Sequence, residues 1–210
     1  TWTQQADLSH STGANSQFGW SVALSADGNT ALVGAVSWSS NNGTGKALVY
    51  TRSGGTWTQQ ADLPHALGTY SSFACSVSLS ADGNTALVGA YNWANSAGKA
   101  LVYTRSGSTW THQADLPHAL EAGSRLGYST CLSADGNTAL VGAYRWNSSI
   151  GTGKALVYTR IAGMWFRRRE LTGVAYSQFG TSVSLSGDGS QALIGADIFS
   201  SYTGKVFFYQ

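Results

Sequence analysis

Aromatic rings beside amides recur at one place in this sequence. Trp38, Trp93, Trp146 and Phe199 stand at matching positions, with Tyr91 and Tyr144 just ahead of two of them. Asn41, Asn42, Asn92, Asn95 and Asn147 lie around them among many Ser residues. That combination suits sugar recognition, because a ring stacks on the weakly polar C–H face of a pyranose while amides pair with its hydroxyls. Repeating such a site about an axis would multiply weak contacts through effective concentration. The same rings could instead be wedges packed between neighbouring sheets, and residue types alone leave both readings open. Asn42-Gly43-Thr44 and Asn147-Ser148-Ser149 also fit the N-glycosylation pattern, which would mark surface loops in a secreted protein.

Other reactive groups carry less. Asp7 with His10, Asp62 with His65 and Asp115 with His118 recur as pairs, replaced in the last copy by Glu170 and Gly173. A metal site needs three or four convergent ligands and each pair supplies two, so these are expected to be repeat-linking turns. His112 has no counterpart in the other copies. The loop Ser25-Ala26-Asp27-Gly28-Asn29 offers one carboxylate, where calcium wants roughly six to eight oxygens. Asp27, Asp82, Asp135 and Asp188 are therefore expected to shape turns, and no metal or cofactor is expected. Arg167-Arg168-Arg169 could hold an acidic glycan or a phosphate through two-pronged hydrogen bonds, or form a solvated outer face. Period-2 alternation points Cys75 and Cys131 to opposite strand faces, which predicts free thiols. There is no G-x-S-x-G elbow and no glycine-rich phosphate loop leading into a helix. An enzyme concentrates unlike residues at one place, whereas this chain repeats like residues, and a non-catalytic role is expected.

The elements that must position these groups are written four times. FGWSVALSADGNTALVGA from Phe18 returns from Phe73, Leu126 and Phe179, and Trp2, Trp57, Trp110 and Trp165 recur at intervals of 55, 53 and 55 residues. A period of this length made only of strand and turn signals is the mark of a β-propeller or a related β array. Each copy reads as two short apolar runs around an Asp-Gly hairpin turn, whose central residues are expected at positive φ. A third strand of the type KALVYTR and a half-exposed fourth of the type TWTQQADL follow. Gly34, Gly89, Gly142 and Gly195 fall inside the second strand, which predicts close passage of another backbone. No helical periodicity is present. The chain opens on a fourth strand and ends on a third, so an N-terminal strand completing the C-terminal sheet would close a ring. A cut from a longer array, or two chains forming one eight-bladed ring with exchanged first strands, would use the same ends.

The phrase FGxSVxLSxDGxxALVGA followed by GKALVYTR resembles the FG-GAP repeat of integrin-like β-propellers, over essentially the whole chain. The resemblance implies blades around a central axis, extracellular placement, and adhesion or ligand binding through loops. Better-known members often have seven blades and a calcium loop between the first two strands of a blade. Four copies and a single carboxylate depart from both.

The expected fold is all-β, a four-bladed β-propeller whose first strand closes the last blade. As a single domain it divides into repeats at about 9–63, 64–116, 117–171 and 172–210 plus 1–8. Only 10% of residues are charged and the net charge is +2, which excludes a chain-wide basic field for nucleic acid. No apolar run approaches the roughly 18 residues that span a bilayer, so membrane insertion is not expected. The chain begins at Thr1 with its only Met at position 164, which predicts an upstream segment carrying any targeting signal. The function expected is extracellular glycan recognition through the aromatic and Asn loops, the partner being a glycan or a cell-surface protein. The alternative is a structural or assembly module, with a homo-oligomer possible.

Overall fold

A computed structural model of the chain describes residues 1–10, 15–38, 43–119, 121–147 and 149–210. Its strands fall into four antiparallel sheets, each ordered as in the sequence, arranged as a four-bladed β-propeller. Blade 1 is β1 (Phe18–Leu24), β2 (Thr30–Ala35), β3 (Lys46–Ser53) and β4 (Thr56–Asp62). Blade 2 is β5 (Phe73–Leu79), β6 (Thr85–Ala90), β7 (Ala100–Ser106) and β8 (Thr109–Asp115). Blade 3 is β9 (Leu126–Leu132), β10 (Thr138–Ala143), β11 (Lys154–Ile161) and β12 (Met164–Thr172). Blade 4 has three strands, β13 (Ser182–Leu185), β14 (Ala192–Ala196) and β15 (Lys205–Tyr209). The innermost strands pack in series, β1 on β5, β5 on β9 and β9 on β13.

The second strands are buried on both faces in the first two blades, as an element sandwiched between sheets must be. Their glycines are required by the neighbouring blade. A methyl group on Gly89 would collide with the Gly127 carbonyl, and one on Gly142 with that of Gly180. The Asp-Gly turn differs in detail from expectation. Only the glycine takes positive φ (Gly28, +69°), and the Gly28 N–H closes the turn on the Ser25 carbonyl at 2.9 Å. The connection is thus longer than a two-residue hairpin loop, and Asp27 is spared the left-handed region because Gly28 occupies it.

The expectation that residues 1–8 close the last blade is not met. They form no strand, Trp2 is fully exposed (103%), and among the described residues no strand pairs with the outer edge of β15. The reason lies in how the segment is anchored. Leu8 packs on the blade 1 core and the Tyr50 hydroxyl donates to the Ser9 carbonyl at 2.9 Å, just as Tyr103 donates to Pro64 in blade 2. This holds the segment beside blade 1, and among the described residues β13 and β1 do not pack as the inner strands within the series do.

Candidate functional site

The loop rings occupy equivalent places on four blades and do not converge. Each is half-buried on its own blade's core, and each carries a lysine over its other side. Lys46 lies 4.2 Å from the centre of Trp38, Lys99 4.0 Å from Trp93, Lys154 3.8 Å from Trp146 and Lys205 4.9 Å from Phe199. Three of these ammonium groups are held by an outer-strand carboxylate, Lys46 by Asp62, Lys99 by Asp115 and Lys154 by Glu170. Trp93 also lines a 520 Å³ cleft with His65, Lys99, His112 and Asp115. Backbone turns set these rings. Within Trp93–Ser96, Ala94 and Asn95 have φ of 49° and 56°, and within Phe199–Tyr202, Ser200 and Ser201 have 49° and 57°, so these one-turn segments are left-handed. The nearby amides serve the loops: Asn92 donates to the Ser72 hydroxyl at 2.9 Å, and the Asn147 side chain accepts from Ser149 at 3.0 Å. Asn41, with Asn42 and Ser148 of the two glycosylation patterns, lies outside the described residues.

Tyr91 and Tyr144 do come together, around residues that the repeat pattern had hidden. They line a 400 Å³ recess with Trp20, Cys75, Arg125 and Tyr128. Trp20, Cys75 and Tyr128 hold the same position in the inner strands of blades 1, 2 and 3, so the recess lies at the axial end of the array. The Tyr128 ring meets Tyr144 at 4.4 Å and Tyr91 at 5.5 Å. The Arg125 guanidinium stands 5.5 Å from the Tyr91 ring and 5.6 Å from that of Tyr144, and donates to the Tyr144 hydroxyl. Such stacking favours the cation over a ring face and fixes its plane. Among the described residues no carboxylate pairs with Arg125. Burial raises the Tyr128 phenol above its ordinary value, reinforced by Tyr144 and Tyr91, so the ring stays a neutral hydrogen-bonding surface. Burial likewise pushes the Cys75 thiol up to about 11, and it donates to the Gly127 carbonyl at 3.2 Å, which makes it inert lining. Tyr128, Arg125 and Trp20 escape a reading based on repetition because each is the odd residue at its position among otherwise similar copies.

The remaining groups are structural. Asp27 accepts from the Ser25 hydroxyl at 2.6 Å and the Asn29 amide at 2.9 Å, and Asp82 and Asp135 repeat this pattern. His65 meets the Gly45 carbonyl at 3.2 Å and lies on Phe73 at 4.1 Å, as His10 lies on Phe18 at 4.0 Å. His112 pairs with Asp115 at 2.9 Å. Arg167 pairs with Glu170, and Arg168 bonds Thr159 at 2.7 Å on an exposed outer strand. Cys75 and Cys131 are free. Among the described residues no three His, Cys, Asp or Glu side chains form a metal-binding group, and no helix is long and apolar enough to cross a membrane.

Comparison with known proteins bears on the fold. No curated protein sequence matches the chain. Among solved structures it is similar to hydrazine synthase of Kuenenia stuttgartiensis (16% identity, TM-score 0.62, 96% of this chain and 48% of that one). It is also similar to Sqt1 of Saccharomyces cerevisiae (11%, 0.57, 94% and 49%) and to TolB of Acinetobacter baumannii (17%, 0.50, 90% and 40%). At such identities the likeness is one of fold alone, and the chain spans less than half the length of each. Residues 2–50 match the FG-GAP repeat family. The first repeat of the chain thus matches the FG-GAP repeat family, and the further copies of the same phrase form the other blades of the β-propeller.

Proposed function

We propose that the chain is a non-catalytic recognition module acting outside the cell, and that it binds a glycan bearing an acidic group in the recess of Tyr91, Tyr128, Tyr144 and Arg125. The observation behind this is the convergence of three tyrosine rings on a stacked guanidinium that has no carboxylate partner among the described residues. Rings of this kind offer faces to sugar C–H groups, and the guanidinium offers a two-pronged site to a carboxylate or sulfate. The recess, 400 Å³, suits one or two sugar rings. Extracellular placement is typical of FG-GAP repeats and supports the same reading. It leaves Trp38, Trp93, Trp146 and Phe199 as braces, since a lysine already occupies the face a sugar would use.

Titration calorimetry with uronic-acid and sulfated oligosaccharides, beside neutral ones of the same length, tests this. Tyr128→Ala should weaken binding of the acidic sugar by about two- to tenfold, one aromatic contact being worth roughly 0.5–1.5 kcal/mol. Arg125→Gln should remove the preference for acidic over neutral sugar. Binding unaffected by either substitution, or no binding to any of the sugars, overturns the proposal.

A further inference from the structure

We propose that the tip of the β11–β12 hairpin docks the chain on the surface of an anionic lipid bilayer. Its apolar side chains enter the acyl boundary and the arginines behind them meet lipid phosphates, without any segment spanning the membrane.

The departure of blade 3 from the repeat carries the argument. The hairpin reads RSGGTWTQQAD in blade 1 and RSGSTWTHQAD in blade 2, but RIAGMWFRRRE in blade 3. Ile161, Met164 and Phe166 thus stand where the other two blades have Ser, Thr and Thr, and three arginines follow them. All three apolar side chains are open, Ile161 at 50%, Met164 at 61% and Phe166 at 41%. Their counterparts are exposed too, Ser53, Thr56 and Thr58 in blade 1 and Ser106, Thr109 and Thr111 in blade 2, although a four-stranded blade follows each. Exposure therefore belongs to this position in any blade, and the polar copies show that folding does not require apolar residues there.

The geometry gathers these groups on one side of the hairpin. Ile161 pairs with Met164 and Thr159 with Phe166, so alternation places Ile161, Met164 and Phe166 on the same face. Arg168 joins them, its Nε donating to the Thr159 hydroxyl at 2.7 Å and its guanidinium standing 5.8 Å from the Phe166 ring. Ala162 and Gly163, at φ of 49° and 80°, close the hairpin in two residues and hold the tip rigidly on its blade. Arg167 and Arg168 lie three and four residues behind Met164, roughly 10–13 Å along a strand. Apolar groups sunk about 5–10 Å past the headgroups would set those guanidiniums at the phosphate layer.

Charge selects the occupant. Glu170 is shared by Lys154 and Arg167, and among the described residues no acid pairs with Arg168 or Arg169. A cationic band behind an apolar tip matches a surface that is anionic outside and apolar within, which describes an acidic bilayer better than a soluble polyanion. The turn carboxylates Asp82 and Asp135 lie at the same end of the blades, where Arg105 and Arg160, bonded to Asn84 and Asn137, offset them. The Arg160 amide also bonds the Asn137 carbonyl at 2.7 Å, so the tip stands beside the β9–β10 turn, whereas Arg125 and Tyr144 stand at the opposite ends of those two strands. A chain docked in this way turns its tyrosine recess away from the lipid.

Sedimentation of the whole chain with vesicles tests the proposal, using phosphatidylcholine alone and phosphatidylcholine mixed with phosphatidylserine. Binding to the mixed vesicles should be about tenfold or more tighter than to the neutral ones and should weaken as sodium chloride is raised. Ile161→Ser with Met164→Thr and Phe166→Thr should reduce it by about tenfold or more. Arg168→Gln with Arg169→Ala should remove the preference for the anionic vesicles. Both sets install residues that blade 1 already carries at these positions, so circular dichroism should be unchanged. Tyr128→Ala should leave vesicle binding intact, which separates this outcome from the sugar titration. Full binding after the apolar change would mark a site for soluble polyanions. That result, equal binding to both vesicles, or no binding to either overturns the proposal.

Discussion

At the scale of the residue, Asp27 and its equivalents do more for the fold than their exposure suggests. The Ser25 hydroxyl, followed by the Asn29 amide, holds the Asp27 carboxyl down to about 2 against an ordinary 3.8, and Ser186 and Ser190 do the same for Asp188. Ser133 and Asn137 lower Asp135, and Asp82 is lowered although burial opposes Ser80 and Asn84 there. A carboxyl with a depressed folded value stabilises fully above 3.8 and loses that contribution as the pH falls through about 2. His65 and His118 act earlier. Burial, their largest influence, favours the neutral rings, so protonation of the unfolded chain begins to cost stability below 6.5. Melting temperature measured against pH should therefore step down twice, shallowly below about 6.5 and steeply below about 4. Replacing His65 and His118 by Gln should remove the first step, and Asn at the four turn positions should flatten the second. A single acid transition untouched by those substitutions would show that other groups govern it.

At the scale of the element, the second strand is where sequence constrains structure most tightly. Gly89 and Gly142 sit where a methyl group meets backbone of the next blade, which cannot swing aside as a side chain would. Gly89→Ala or Gly142→Ala should each cost about 1–3 kcal/mol in urea unfolding, while Gly187→Ala, whose nearest neighbour would be the Ala134 methyl at 3.8 Å, should be close to neutral. Equal effects at all three would mean that the backbone approach is not what excludes a side chain. The strands, their order and the burial of β2 were legible in the repeated phrase because alternation and turn residues act locally. The place of residues 1–8 was not, since TWTQQADL alternates like a strand while the segment is held beside blade 1 by Leu8 and Ser9. The recess was half legible: Tyr91 and Tyr144 stood out as loop aromatics. Tyr128 and Arg125 could be found only by asking where the copies disagree, and those positions meet at the axis because inner strands of adjacent blades pack side by side.

At the scale of the whole molecule, a repeat array is stabilised by each unit and by its neighbours, so an end unit has one interface where an inner unit has two. Among the described residues blade 4 has three strands, and no strand pairs with the outer edge of β15. Its amides should therefore exchange with solvent faster than those of β6 or β10, which lie inside four-stranded blades between two others. Gly195 sharpens the comparison. Its added methyl would meet the Ser182 side chain, which can turn away, whereas Gly34, Gly89 and Gly142 each face a backbone carbonyl of the following blade. Gly195→Ala should therefore leave exchange in β6 and β10 unchanged and lower the melting temperature less than Gly89→Ala does. Exchange at residues 205–209 as slow as that of β6 and β10 would mean that the edge of β15 is covered from within the chain.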